Sequence, residues 1–286
     1  MTATRIDGKA IAQSMKKTIT NDIDHLVKRS GIRPTITTIT VGSDPASALY
    51  LKLREKACAE VGISSNHLTF PADVSEKKLI QIIQSLNDDA AIHGILLQFP
   101  LPARLSAERL ITVLSPKKDV EGLTPYNMGE TILGNEHLVP CTPLAVITIL
   151  DHECIKLQGT AVTVVNHSAV VGKPLTALLL NRNATVSVCH VYTKDIIPYT
   201  SRADILVTGT GIPGLITADH IKQGAVVIDV GIASTNQGVR GDVNVESVSK
   251  KVNALTPVPG GVGPVTIACS LQNMVTTYKN CLEGTT

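Results

Sequence analysis

The chain has no tryptophan, and its 286 residues include only two phenylalanines and five tyrosines. Proteins that bind single-stranded nucleic acid stack bases on aromatic rings, so that class is excluded. An excess of either charge is missing as well: 26 Lys and Arg face 24 Asp and Glu, for a formal charge of +2. Like charges never gather into a block, so neither nucleic acid nor a membrane surface is expected as a partner. No apolar run reaches the length of a membrane-spanning helix, and the opening MTATRIDGKAIAQSMKK lacks the apolar core of a signal peptide. The six cysteines, Cys58, Cys141, Cys154, Cys189, Cys269 and Cys281, lie far apart and contain no C-x-x-C pair. They read as reduced thiols of a cytoplasmic protein.

What the chain has in quantity is aliphatic residues. Hydrophobic residues make up 43% of it, and with so few rings the core must be built from Ile, Val, Leu and Ala. At this length two lobes are expected. Ile11, Met15, Ile19, Ile23, Leu26 and Val27 repeat at helical spacing over 7–29, and the β-branched run TITTITV at 35–41 reads as a strand. The alternation continues with a helix at 46–61, a strand near 67–70, a helix at 75–87, a strand at 92–98 and a helix at 106–114. Residues 115–129, rich in Pro and Gly, read as a loop, and Pro143 suits the first turn of a further helix.

A second series starts at 160: strands TAVTVV, TVSVC, DILVTG and AVVIDVGI alternate with helices at 174–182, near 195–202 and near 217–222. Short buried strands alternating with helices predict a doubly wound, Rossmann-like fold that holds a dinucleotide. The chain closes with an apolar-periodic helix at about 264–280.

Five segments carry candidate chemistry. VVNHSAVVGKP (164–174) follows a strand and precedes a helix, where backbone N–H groups and the helix dipole favour a pyrophosphate. It departs from G-x-G-x-x-G, having Asn166 and Ser168 and keeping only Gly172, so Asn166 is expected to make the left-handed turn that glycine usually makes. After the second strand come Cys189, His190, Val191, Tyr192, Thr193 and Lys194, with no carboxylate before Asp195. A ribose-binding acid is thus absent, and His167 and Lys194 are the cations nearest to where a 2′-phosphate would lie. PVPGGVGP (257–264) has three prolines and three glycines, which fix a backbone path and allow a ligand close approach. LLQFPLP ends a strand with Gln98, and KKDVEG supplies Asp119 and Glu121.

Taken in order, VGSDPASALY, LLQFPLP, PKKDVEG, PCTP, SAVVGKP, ADILVTGTGIPGLI, GAVVIDVGI, GDV and TPVPGGVGPVTIA resemble the bifunctional methylenetetrahydrofolate dehydrogenase/methenyltetrahydrofolate cyclohydrolase (FolD) family, over Asp7 to about Tyr278. The resemblance implies a two-lobed α/β protein. A folate-binding catalytic domain would comprise 1–121 and 264–286, a Rossmann-like NAD(P)-binding domain 140–263, and a connecting segment 122–139, with the active site in the cleft. It implies NADP as coenzyme, with NAD possible, a tetrahydrofolate derivative as substrate, no metal, and a homodimer. Tyr50, Arg54, Gln98 and Glu121 would be catalytic. Tyr50, Asp119, Glu121, Pro259, Gly260, Gly261, Gly263 and Pro264 would bind substrate; Asn166, His167, Ser168, Gly172, Val191 and Ile232 would bind the coenzyme.

The chain departs from the family pattern where the chemistry is most demanding. Arg54 stands where the pattern has the catalytic lysine, and Glu121 where it has aspartate. PCTPxG has become PCTPLA, with Ala145, while His167 and Val191 replace an Arg and a Ser expected near the 2′-phosphate. Oxidation of the one-carbon bridge needs orientation more than a titrating side chain. Hydrolysis needs a base, and arginine stays protonated and has no acceptor. Lys52 and Lys56 lie about 200° around the helix from Arg54 and are expected to point away. The expectation is a dehydrogenase with weakened or lost cyclohydrolase activity. Two alternatives remain: an idle folate- or nucleotide-binding protein, and a two-lobed dehydrogenase of another small acid, such as a shikimate-type enzyme.

Overall fold

The computed structural model describes residues 3–42, 45–236 and 238–283, and for 45–49 the backbone only. Ser43 and Asp44 of the motif VGSDPASALY lie outside the described residues. The elements, in order, are β1 (Thr4–Arg5), α1 (Gly8–Ser30), β2 (Thr35–Val41), α2 (Pro45–Glu60), β3 (Ser64–Phe70), α3 (Glu76–Asp88), β4 (Gly94–Leu97) and α4 (Ala107–Val113). There follow α5 (Pro125–Leu133), α6 (Cys141–His152), β5 (Ala161–Val165), α7 (Gly172–Asn181), β6 (Thr185–Cys189), α8 (Ile197–Thr200), β7 (Ile205–Thr208) and β8 (Val226–Asp229). The series ends with β9 (Ala233–Thr235), β10 (Gly238–Arg240), α9 (Val245–Val248), β11 (Ala254–Leu255) and α10 (Val262–Glu283).

The chain falls into two compact units: Met1–Gln13, Thr131–Asn135 and Pro140–Thr266 form one, and Ser14–Glu130, Glu136–Val139 and Ile267–Thr286 the other. The second unit holds a parallel three-stranded sheet in the order β3-β2-β4. Its central strand β2 is buried on both faces, which is why TITTITV reads as a nearly unbroken β-branched run, with Thr37 and Thr38 each 1% exposed. One core of this unit packs Ile19, Ile23, Ile36, Val61, Met274 and Tyr278, and another packs Ile39, Leu79, Ile83, Ile95 and Leu110. Ser75 and Ser106 cap α3 and α4 by accepting the N–H of Lys78 and Arg109.

The first unit is a parallel six-stranded sheet in the order β1-β11-β8-β7-β5-β6, with a separate antiparallel hairpin of β9 and β10. Starting from β5 the chain runs out to β6, then returns past β5 to β7 and β8, so the order reverses at β5/β7 as in doubly wound folds. The strands come almost where the sequence places them. The corrections are local. Part of the expected loop 115–129 forms a short 3-10 turn and the start of α5, because Pro125 opens a helix that the Pro/Gly content concealed. The helix expected near 217–222 is a single 3-10 turn, and α10 begins at Val262 rather than near 264. Among the described residues no helix is long and apolar enough to cross a membrane.

Candidate functional site

In the three-stranded unit the site is built on α2. Residues four apart lie on one face of a helix, so Tyr50 and Arg54 are stacked, with the guanidinium carbon 4.7 Å from the ring centroid. Leu51, Ala57, Cys58 and Arg54 form the inward face, and Arg54 is only 4% exposed; Lys52 and Lys56 are exposed, as the helical spacing requires. A guanidinium can stack and fork at once, which an ammonium cannot. Here one arm, Nη2, donates to Glu121 Oε1 at 3.0 Å, and the other, Nη1, reaches Gln98 Oε1 at 3.5 Å.

The partners are held by the sheet. Gln98 follows β4, its N–H donating to the carbonyl of Ile39, and its amide nitrogen donates to the carbonyl of Phe99, which turns Oε1 toward Arg54. Val120, wholly buried, is fixed by its N–H on Ile95 and by Asn273, which donates to its carbonyl; this aims Glu121. Asp119 is buried at 3% exposure, and its Oδ2 accepts from the Thr124 N–H at 2.7 Å and from Asn127 Nδ2 at 2.9 Å, closing the loop that leads into α5. Asp119 and Glu121 also line a small cavity with Ile95, Leu97, Phe99 and Leu123. Beneath Arg54, burial pushes the Cys58 thiol up to about 11 despite the nearby guanidinium, so it stays protonated and inert. A larger hollow of about 730 Å³, bounded by Lys117, Tyr126, Asn127, His137 and Asn280, includes none of Tyr50, Arg54, Gln98, Asp119 and Glu121.

The six-stranded unit presents a second set. Asn166 follows β5, and its Oδ1 accepts from the Ser168 N–H (2.8 Å), the Ser168 hydroxyl (2.8 Å) and the Gly172 N–H (3.0 Å). The left-handed turn expected at Asn166 does not occur, since it is absent from the residues with positive φ. The side chain makes an Asx turn instead and does the loop's work without unusual backbone. Gly172 is required for a related reason: a Cβ there would overlap the carbonyl of Asn166. His167 stacks on His190 with ring centroids 4.6 Å apart, and Tyr192 meets His190 edge-on at 6.0 Å. Val191 and Ile232 stand out into solvent, 81% and 65% exposed.

Of the Pro/Gly segment, Gly260 has φ +101°, and Gly261 packs so closely on Thr256 and Pro257 that a Cβ would come within 2.8 and 2.6 Å of them. Gly8 at the start of α1 leans on the carbonyl of Gly261. Pro259 follows a cis peptide bond, while Gly263 and Pro264 lie in the first turn of α10. No group of three or more metal-binding side chains is found among the described residues. Asp229 and Asp242, buried at 3% and 0% exposure, were not singled out from the sequence. Each adjoins a glycine-flanked motif, DVG or GDV, and that pairing was the available signal.

Comparison with known proteins places these features in context. A family model described as tetrahydrofolate dehydrogenase/cyclohydrolase, catalytic domain, matches residues 6–121, and its NAD(P)-binding-domain counterpart matches 140–282. The bifunctional protein FolD of Methanococcoides burtonii is 48% identical over 270 residues, 94% of each chain. The crystal structure of the bifunctional FolD methylenetetrahydrofolate dehydrogenase/cyclohydrolase of Campylobacter jejuni superposes with a TM-score of 0.94 at 41% identity, covering 97% of this chain and 99% of that one. The Trypanosoma brucei enzyme, solved with NADP cofactor and inhibitor, has a TM-score of 0.94 at 36% identity and 99% coverage of both chains.

Proposed function

The chain belongs to the tetrahydrofolate dehydrogenase/cyclohydrolase family, and from that premise we propose that it oxidises 5,10-methylenetetrahydrofolate to the methenyl form with NADP and hydrolyses the product slowly or not at all. The observation that carries the second half is Arg54 itself, stacked on Tyr50 and ion-paired with Glu121 at 3.0 Å. Oxidation moves a hydride from the bridging carbon to the coenzyme and leaves a cation on the folate. Tyr50 would support the pterin and aminobenzoate face. Glu121 would hold the ring N–H groups and offset the charge of Arg54, which would otherwise raise the barrier to a second cation. Hydrolysis asks for a proton to be taken from water and returned to a nitrogen, and a guanidinium does neither.

The residues around Gly172 fit a dinucleotide: a turn closed by the Asn166 side chain leads into the N-terminus of α7, where Gly172 leaves the backbone bare. Asn166, Ser168 and Gly172 would hold the pyrophosphate, His167 and Val191 would flank the 2′-phosphate, and Ile232 would cover the coenzyme. The coenzyme supplies the hydride acceptor. Pro259, Gly260, Gly261, Gly263 and Pro264 would line the folate pocket. Residues 1–121 with 264–286 are assigned to folate, 140–263 to the coenzyme and 122–139 to their connection. Pairing of two copies is part of the proposal, supported by the open sheet edge at β6, where Val188 is 39% exposed.

The test supplies 5,10-methylenetetrahydrofolate with NADP or NAD, follows coenzyme reduction and methenyl absorbance separately, then supplies methenyltetrahydrofolate alone. Coenzyme reduction with methenyl decaying at its uncatalysed rate is the expected result. The Arg54→Lys variant should gain hydrolysis by about a hundredfold, the lower range of general-base catalysis. Faster methenyl consumption by the native chain would overturn the reading of Arg54.

A further inference from the structure

Two carboxylates lie buried side by side at the carboxyl ends of β7 and β8. Asp229, the last residue of β8, accepts three backbone N–H groups: those of Gly231 (2.9 Å) and Asp242 (3.1 Å) at Oδ1, and that of Val243 (2.9 Å) at Oδ2. Asp242 uses one oxygen for the Thr208 hydroxyl at 2.7 Å and the Thr210 N–H at 2.5 Å. Its other oxygen, Oδ1, is buried with no hydrogen-bond partner. Both glycines beside the pair are bare because of it: a Cβ on Gly231 would overlap Asp242 Oδ1, and one on Gly241 would overlap Asp229 Oδ2.

This arrangement does not favour folding. A buried carboxylate oxygen without a donor is costly, and a second carboxylate beside it adds repulsion. Burial first, and the Asp242 charge among lesser causes, push the Asp229 carboxyl up to about 6 against the three N–H groups that pull it down. An asparagine at 242 could keep the Thr208 and Thr210 bonds and remove the repulsion. A costly charge held in place by a satisfied scaffold points to a use in function rather than in folding.

The place in the fold suggests what the use is. In a doubly wound sheet the dinucleotide lies across the carboxyl ends of the strands, one mononucleotide on each half, and the first half is marked by the phosphate turn after its first strand. Here that turn follows β5, so β5 and β6 take the first mononucleotide, and β7 and β8 the second, which carries the nicotinamide. The two forms of the coenzyme differ in this half: the oxidised ring is a cation and the reduced ring is neutral.

We propose that Asp229 and Asp242 determine the preference of the enzyme between oxidation states of its coenzyme, their buried negative charge favouring the cationic oxidised form over the neutral reduced form. The proposal rests on the coenzyme reading given above. It also accounts for the glycines, which let the Asp242 carboxylate lie directly against the main chain of the loop after β8. The charge would help load the oxidised coenzyme and release the reduced one. The groups packed around the pair from β7, β11 and the intervening loops, Thr208, Thr210, Gly231, Val243, Thr256 and Val258, carry no ionisable side chain.

The experiment measures dissociation constants of NADP⁺ and NADPH by calorimetry, without folate, for the native chain and Asp242→Asn at pH 7.5 and pH 5. The ratio of the two constants is decisive, because phosphate and adenosine contacts are common to both forms and cancel. The native ratio should favour NADP⁺ at pH 7.5 and fall at pH 5, as Asp229 takes up its proton. Asp242→Asn should shift the ratio toward NADPH by about tenfold at pH 7.5, the scale of removing one charge from a partly screened protein interior. Equal ratios for the two proteins at both pH values would overturn the proposal while leaving the coenzyme reading intact. If Asp242→Asn does not fold, the native chain decides, and a ratio constant between pH 7.5 and 5 overturns it. Failure of the folded native chain to bind either form would overturn the coenzyme reading, and the proposal with it.

Discussion

Arg54 and Asp229 are both charged groups withdrawn from water, one in each unit, and they are satisfied in different ways. Arg54 meets side chains: the Glu121 carboxylate, the Gln98 amide and the Tyr50 ring. Asp229 meets main chain, three N–H groups that it draws together, with a like charge beside it. A charge held by side chains can be changed along with its partner, as the Arg54–Glu121 pair could be. A charge held by backbone ties the local chain to glycine, and Gly231 and Gly241 are the consequence.

The largest effect is expected from breaking the Arg54–Glu121 pair from its exposed end. Glu121→Leu leaves a guanidinium that is 4% exposed without its carboxylate, whereas Arg54→Met leaves a carboxylate with 23% of its side chain in solvent. Glu121→Leu should cost about 3 kcal/mol, the lower end for a broken buried ion pair, and Arg54→Met less, because water can solvate what remains. The double substitution should be more stable than Glu121→Leu alone. Denaturant unfolding of the three variants checks the order, and equal losses for the two single variants would show that burial of the arginine does not govern the pair.

Next comes the backbone-held charge. Gly231→Ala places a Cβ where Asp242 Oδ1 now lies, and the buried carboxylate has nowhere to retreat. A loss of about 2 kcal/mol is expected, in the range of overpacked cores. Gly263→Ala, in the first turn of α10 with nothing within 4 Å of the new methyl, should be neutral or slightly stabilising. Thermal unfolding of the two alanine variants separates a glycine required by a neighbour from one that is not.

The contrast between the units also explains what could be read from the sequence. Strands β2 and β6 were legible to the residue, because β-branched runs between turns leave little choice of register. The face shared by Tyr50 and Arg54 followed from helical spacing, and its meeting with Gln98 and Glu121 from motifs that the family resemblance drew together. The start of α5 was lost in a stretch whose prolines and glycines suggest a loop, although Pro125 suits a first turn. Asn166 was given a backbone role when its side chain does the work. The pairing of Asp229 with Asp242 depends on the approach of segments thirteen residues apart, joined through the β9–β10 hairpin, and no periodicity in the sequence reports such a contact.

Acidification should act on the two units in opposite directions. For Asp229 the carboxyl rises from 3.8 to about 6, so the folded chain holds the proton more tightly than the unfolded chain. The resulting stabilisation is complete below the unfolded value and is lost as pH rises through about 6. Native protein should therefore gain on the order of 1 kcal/mol relative to Asp229→Asn when pH is lowered from 7.5 to 5, read as the difference between two unfolding curves. A gap independent of pH would mean that Asp229 is not the titrating group.

The smallest effect is expected at His93, in the other unit, and its sign is reversed. His93 is 2% exposed, its ring meets Tyr278 edge-on at 5.0 Å, and its Nδ1 accepts the N–H of Thr35 at 3.1 Å, which only the neutral imidazole can do. Burial first, and then the charge of Lys118, hold its pKa below the usual value, against a weaker upward pull from Asp89. The folded chain thus resists this proton more than the unfolded chain does. Stability from His93 is present above about pH 6.5, the value for a free imidazole, and declines as pH falls through that range. His93→Gln can keep an acceptor for Thr35 without a titrating group, so the three-stranded unit of this variant should lose less protection on acidification than that of the native chain. Amide hydrogen exchange, expressed as protection factors for β2 and α10 at pH 7.5 and 5.5, resolves this against the opposite response of the strands around Asp229. Parallel losses in both units would mean that acid acts on the fold as a whole, and that the two buried groups do not set the response of their own surroundings.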